Sequence, residues 1–148
     1  MLNRLELVWR ERPGGGGQSQ RSWLDFLVDG ASLNDTLKAG GYIGSLGWGD
    51  PEVEASSLQQ LMQGERSQLP DGRVMIYVCA ECGDLGCGAI TVAVRREGDT
   101  IIWDRFGFEN NYDPEMTDRE SYRHVGPLRF HAERYCQTLV ARQREISA

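Results

Sequence analysis

Residues 74–106 carry three apolar runs whose connections are too short to hold a crossover helix. Val74, Ile76 and Val78 alternate with Met75, Tyr77 and Cys79, so both faces of the first run are apolar, as in a central strand. Ala89 to Val94 forms the second run, Glu97-Gly98-Asp99 is a hairpin turn, and Ile101, Ile102, Trp103 and Phe106 form the third. Parallel neighbours need a connection of about a dozen residues or more. The three runs therefore specify an antiparallel meander.

The rest of the chain is read around that meander. Residues 2–10 alternate, with Leu5 and Leu7 on one face and Arg4 and Glu6 on the other, which marks a half-buried strand. Pro13 to Gly17 is a loop, because ordering four consecutive glycines is entropically expensive. Trp23, Leu24, Phe26, Leu27 and Val28 resume strand character, and the two segments predict an N-terminal hairpin. Ser32 can cap a short helix that Gly40 and Gly41 would end. The glycine-rich stretch Gly41 to Gly49 lacks the G-x-G-x-x-G order and reads as a surface loop pinned by Tyr42, Ile43 and Trp48. Asp50-Pro51 opens a middle helix with Val53, Leu58, Leu61 and Met62 as its apolar side and Gly64 as its stop. Pro127 is read as the start of the last helix, with Leu128, Ala132, Tyr135 and Leu139 as one stripe. The sum is an α+β domain over residues 1–148. The N-terminal hairpin and the meander make an antiparallel sheet of about five strands, covered by the C-terminal helix and the shorter middle helix.

Composition excludes several classes. With 16 Lys plus Arg against 22 Asp plus Glu, the net charge of −6 argues against a nucleic-acid partner. No apolar run approaches the about 20 residues of a membrane span. Arg4 and Glu6 interrupt what would be a signal sequence, so cytoplasmic residence is expected. Four cysteines are too few for a disulfide framework.

Their placement is more informative than their number. Cys79, Cys82 and Cys87 have C-x2-C-x4-C spacing, and Gly83 and Gly86 bracket a tight turn between two strands. Four readings stand side by side. C-x-x-C-G has the shape of a zinc knuckle, but zinc wants four ligands, and the fourth would come from His131, His124 or Cys136. Thiol redox chemistry would want a helix N-terminus, whereas Cys79 ends a strand and Glu81 and Asp84 disfavour a nearby anion. A Cys82–Cys87 disulfide could span the turn. The thiols and glycines could also simply shape a close packing contact. Zinc is thus the alternative to no cofactor.

The segment Tyr77 to Val92, with Asp99 to Tyr112 after it, resembles a group of small bacterial proteins carrying a Cys-Gly-Asp-Leu-Gly-Cys-Gly hairpin. They are common in actinobacteria, mostly hypothetical and sometimes labelled oxidoreductase. The likeness spans about residues 70–139. It implies a bacterial cytoplasmic protein and supplies no catalytic residues to carry over. The chain has no nucleotide fingerprint to support the oxidoreductase label.

Five acids fall between Glu109 and Glu120. Asn111-x-Asp113-x-Glu115 imitates the start of a calcium loop, but Met116 stands where that loop needs glycine. The stretch reads as a solvated acidic loop. With no complete catalytic constellation, the first expectation is a non-enzymatic interaction module. Glu109, Asp113, Glu115 and Asp118 would meet a protein partner with a basic surface. The alternative is a zinc-binding or thiol-dependent protein centred on Cys79, Cys82 and Cys87, with His131 as a further ligand. The chain is also compatible with a homo-oligomer.

Overall fold

The computed structural model describes residues 2–148. Eight strands and three helices succeed one another: β1 (Leu5–Arg12), β2 (Arg21–Val28), β3 (Ala31–Ser32), α1 (Leu33–Leu37), β4 (Tyr42–Gly44), α2 (Pro51–Leu61), β5 (Arg73–Cys79), β6 (Ala89–Glu97), β7 (Thr100–Glu109), β8 (Leu128–His131) and α3 (Ala132–Ser147). The fold is α+β, with two antiparallel sheets and the C-terminal helix packed on the sheet.

The sheet is partitioned differently from the sequence expectation. The N-terminal hairpin does not extend the meander; it forms its own sheet, β1-β2-β3. The five-stranded sheet runs β4-β5-β6-β7-β8, so β4 and β8 flank the meander. β4 occupies the stretch read as loop, where Tyr42, Ile43 and Gly44 pair with Cys79, Val78 and Tyr77. β8 occupies the stretch read as helix start. Leu128 to His131 pair with Trp103 to Thr100, and the helix begins only at Ala132. Among the described residues, no helix is long and apolar enough to cross a membrane.

Local signals are realised closely. Ser32 Oγ accepts the Asp35 N–H at 3.1 Å and caps α1. That helix stops earlier than its glycines suggested, at Lys38, whose φ of 54° breaks the helical path. Asp50 accepts the Glu52 N–H at 2.8 Å at the head of α2. At the tail, Gly64 N–H reaches Gln59 O and Gln63 N–H reaches Gln60 O, a Schellman closure with Gln63 in the left-handed position. Of the apolar side assigned to α2, Leu58 and Leu61 are buried, but Val53 is exposed. Glu54 is buried instead, in a bidentate pair with Arg142 of α3 at 2.7 and 3.0 Å.

One apolar cluster joins both sheets and all three helices, with Phe26, Leu46, Leu61, Ile76, Trp103, Phe130 and Leu139 among its buried members. Phe26 of β2 meets Tyr77 of β5 and Trp103 of β7 edge-on, with centroids 5.9 and 5.4 Å apart. The sheets also share a buried carboxylate. Asp25 of β2 is fully buried and accepts from Tyr77 Oη at 2.5 Å, Ser32 Oγ at 2.6 Å and Arg10 at 3.1 Å.

Candidate metal centre

The connection from β5 to β6 carries the three clustered cysteines. Cys79 ends β5, the chain turns through Gly83 at φ 67°, and Leu85–Cys87 forms a single 3-10 turn. Asp84 caps that turn by accepting the Gly86 N–H at 3.2 Å, and its own N–H points at Cys82 Sγ at 3.4 Å. Gly88, at φ 89°, then admits the chain to β6 against the ring of Phe108, where a side chain would collide. Beneath the turn lies a small second apolar cluster of Val78, Leu85 and Ala89, edged by Trp48 and Met75.

This turn draws the sulfurs together. One ligand atom from each of Cys79, Cys82 and Cys87 lies within 4.8 Å of the others. Cys82 and Cys87 are exposed, Cys79 is half-buried, and the two exposed Sγ atoms stand 2.7 Å apart. Tetrahedral zinc with Zn–S near 2.3 Å separates its sulfurs by about 3.8 Å, so loading would part this pair by about 1.1 Å. The backbone N–H groups of Cys82 and Glu81 lie against the Cys79 sulfur and hold its thiol below the ordinary range, against the opposing effect of burial. The hydrogen bond with Cys82 pushes the Cys87 thiol up to about 12, helped by burial and the charges of its neighbours. Backbone donors of this kind stabilise the charge of a thiolate, as in a knuckle whose sulfurs hold a cation.

Several contacts position the hairpin that its spacing did not reveal. Glu81 accepts from Ser19 N–H at 2.8 Å and Arg12 at 2.9 Å, which ties the tip of the β1–β2 hairpin to the cysteine turn. These donors, Ser19 first, hold the Glu81 carboxyl down at about 2. Its charge is thus directed at Arg12 rather than at the sulfurs. Arg21 donates to Ala80 O at 2.9 Å and stacks over Trp48. Tyr42 Oη donates to Cys87 O at 3.4 Å, and Tyr112 rests on Gly86. The only sequence signal for this group was its aromatic and arginine content near glycines.

His131 and Cys136 do not join the cluster. His131 pairs with Thr100 at the start of β7, whereas the cysteine turn enters β6 at Ala89, opposite Glu109 at the end of β7. Nine strand steps separate those ends, roughly 30 Å. His131 ends β8 and Cys136 lies on α3, where both line a separate recess of about 540 Å³ with Arg96 and Asp99. His124 is exposed on the 110–127 segment.

The acids named for a partner surface divide. Asp113 and Glu115 are exposed and Asp118 half-exposed, beside Tyr112 and Met116, which are 79% and 52% exposed. Glu109 is not on that surface. It is buried, pairs with Arg73 at 3.0 Å and accepts from Thr91 at 2.6 Å. The last residue of β7 thus faces inward, where the guanidinium of β5 needs a counter-charge.

Comparisons with protein-family models, with curated proteins and with solved structures returned no match.

Proposed function

We propose that Cys79, Cys82 and Cys87 hold a soft cation, zinc in the first instance, and that this ion fixes the shape of the β5–β6 turn. The observation that supports it is the convergence of three sulfurs on one turn, with backbone N–H groups aimed at two of them. Three thiolates suit zinc, and the fourth position, among the described residues, falls to water. Three thiolates leave the ion net negative, which weakens it as a Lewis acid. Cytoplasmic residence belongs to the same proposal, since a reducing compartment keeps the thiols available. The test is elemental analysis of protein purified without chelators. About one zinc per chain is expected, falling on Cys82→Ser; less than about 0.2 per chain refutes the reading.

A second reading is favoured by the exposure of Tyr112 and Met116 among Asp113, Glu115 and Asp118. This face meets a basic protein segment and is continuous with the turn, because Tyr112 rests on Gly86. Arg-rich peptides are expected to bind the chain, more weakly with added salt and with Tyr112→Ala. Equal binding by the variant refutes it.

A further inference from the structure

We propose that Cys82 and Cys87 are an oxidisable pair that closes to a disulfide under a hydroperoxide and thereby dismantles the cation site. The dismantling rests on the metal reading above; the oxidation does not. The two sulfurs stand in contact across one turn, 2.7 Å apart, so a covalent S–S bond of about 2.05 Å needs only a small approach. Both residues are exposed, so an oxidant reaches them without unfolding the chain. Asp84 holds the turn from within by capping Gly86 and donating to Cys82 Sγ. Leu85 anchors it to the apolar cluster below. Cys79 ends β5, half-buried, with its sulfur within 4.8 Å of both.

The chemistry balances with a hydroperoxide as the oxidant. The thiolate of one member attacks the terminal peroxide oxygen, the O–O bond breaks, and a sulfenic acid forms as alkoxide or hydroxide departs and takes up the thiol's proton. The second thiol attacks that sulfur, the S–O bond breaks, and the oxygen leaves as water carrying the second thiol's proton. Two thiols lose two electrons, and the peroxide becomes an alcohol, or water, plus water. Cys79 is left as a single sulfur, too few to retain the ion.

The experiment treats the full chain with hydrogen peroxide, once metal-free and once loaded with zinc. In the metal-free chain the intact mass is expected to fall by about 2 Da, with Cys82 linked to Cys87 and Cys79 still open to alkylation. Cys79→Ser is expected to keep the link, and Cys82→Ser and Cys87→Ser each to lose it. In the loaded chain, zinc is expected to appear in solution in step with the disulfide. A link to Cys79, or stepwise oxygen addition without any link, overturns the oxidation. Zinc retained by the disulfide-bonded chain overturns the dismantling. A chain that forms the disulfide but never takes zinc defeats the metal reading and leaves the oxidation standing. A chain that takes zinc and never forms the disulfide does the reverse.

Discussion

Replacing Asp25 with alanine tests how the two sheets are joined. The carboxylate is fully buried and accepts four hydrogen bonds, from Phe26 N at 2.8 Å, Tyr77 Oη at 2.5 Å, Ser32 Oγ at 2.6 Å and Arg10 at 3.1 Å. Asp25→Ala strands the Tyr77 hydroxyl, which is itself fully buried, and releases the Ser32 hydroxyl that caps α1. The Arg10 side chain is 37% exposed, so water replaces much of what it loses. Hydrogen bonds to a charged group contribute about 1.5–3 kcal/mol each, and removing one member of a buried ionic set costs about 3–5 kcal/mol. With a urea m-value near 2 kcal/mol/M, the midpoint falls by roughly 1.5–2.5 M. Tyr77→Phe removes one donor and leaves three, so it costs about 1.5 kcal/mol. The double variant should cost little more than Asp25→Ala alone, because it removes the stranded hydroxyl. Urea unfolding at neutral pH measures all three. A loss below about 1 kcal/mol for Asp25→Ala, or simple additivity in the double variant, refutes the account.

Three further outcomes are expected. Burial, then the charge of Asp25, holds the Tyr77 hydroxyl well above its ordinary range, so its protonated form contributes stability that is complete below about pH 10 and is lost as pH rises above it. Tyr77→Phe should flatten that alkaline loss in urea midpoints followed from about pH 8 to 11, and parallel curves would contradict the assignment. Glu109→Ala leaves the Arg73 guanidinium, 1% exposed, without its counter-charge and should cost about 3–5 kcal/mol. Arg73→Met with Glu109→Leu should cost less by the same urea assay. Gly88→Ala places a methyl into Phe108 at a φ of 89°, so thermal unfolding should report a loss of about 1–3 kcal/mol, and zinc uptake should fall with it.

What the sequence revealed was decided locally. The meander, the caps at Ser32 and Asp50 and the cysteine turn each depend on residues within a few positions of one another. What it concealed depended on partners far along the chain. β4 is three residues long, too short to show a period, and exists because β5 offers it an edge. Leu128, Ala132, Tyr135 and Leu139 satisfy helical spacing, yet Leu128 and Phe130 also alternate, and the free edge of β7 decides for a strand. Glu109 was read as part of a solvated acidic loop and is buried, as are Glu54 and Asp25, each because an arginine meets it: Arg73, Arg142 and Arg10. At the candidate site the spacing of the three cysteines sufficed. His131 lies apart from the cysteines, at the end of β8 and the opposite end of the sheet, on a strand that helix spacing had assigned to the last helix.

The cysteine turn has little apolar support of its own. Val78, Leu85 and Ala89 are buried beneath it and Ala80 within it, worth a few kcal/mol at about 1.5–3 kcal/mol for each large side chain. The main core lies beyond Tyr77 and Ile76, on the side where β2 packs. The turn therefore takes its shape from polar tethers: Glu81 to Ser19 and Arg12, Arg21 to Ala80, and Tyr42 to Cys87. Exposed tethers of this kind contribute little each, about 0–1 kcal/mol. A bond made directly between the sulfurs, through an ion or covalently, acts against that weak background. It can change the conformation of residues 79–88 while the welded sheets below, fixed by Asp25 and the aromatic stack, stay as they are.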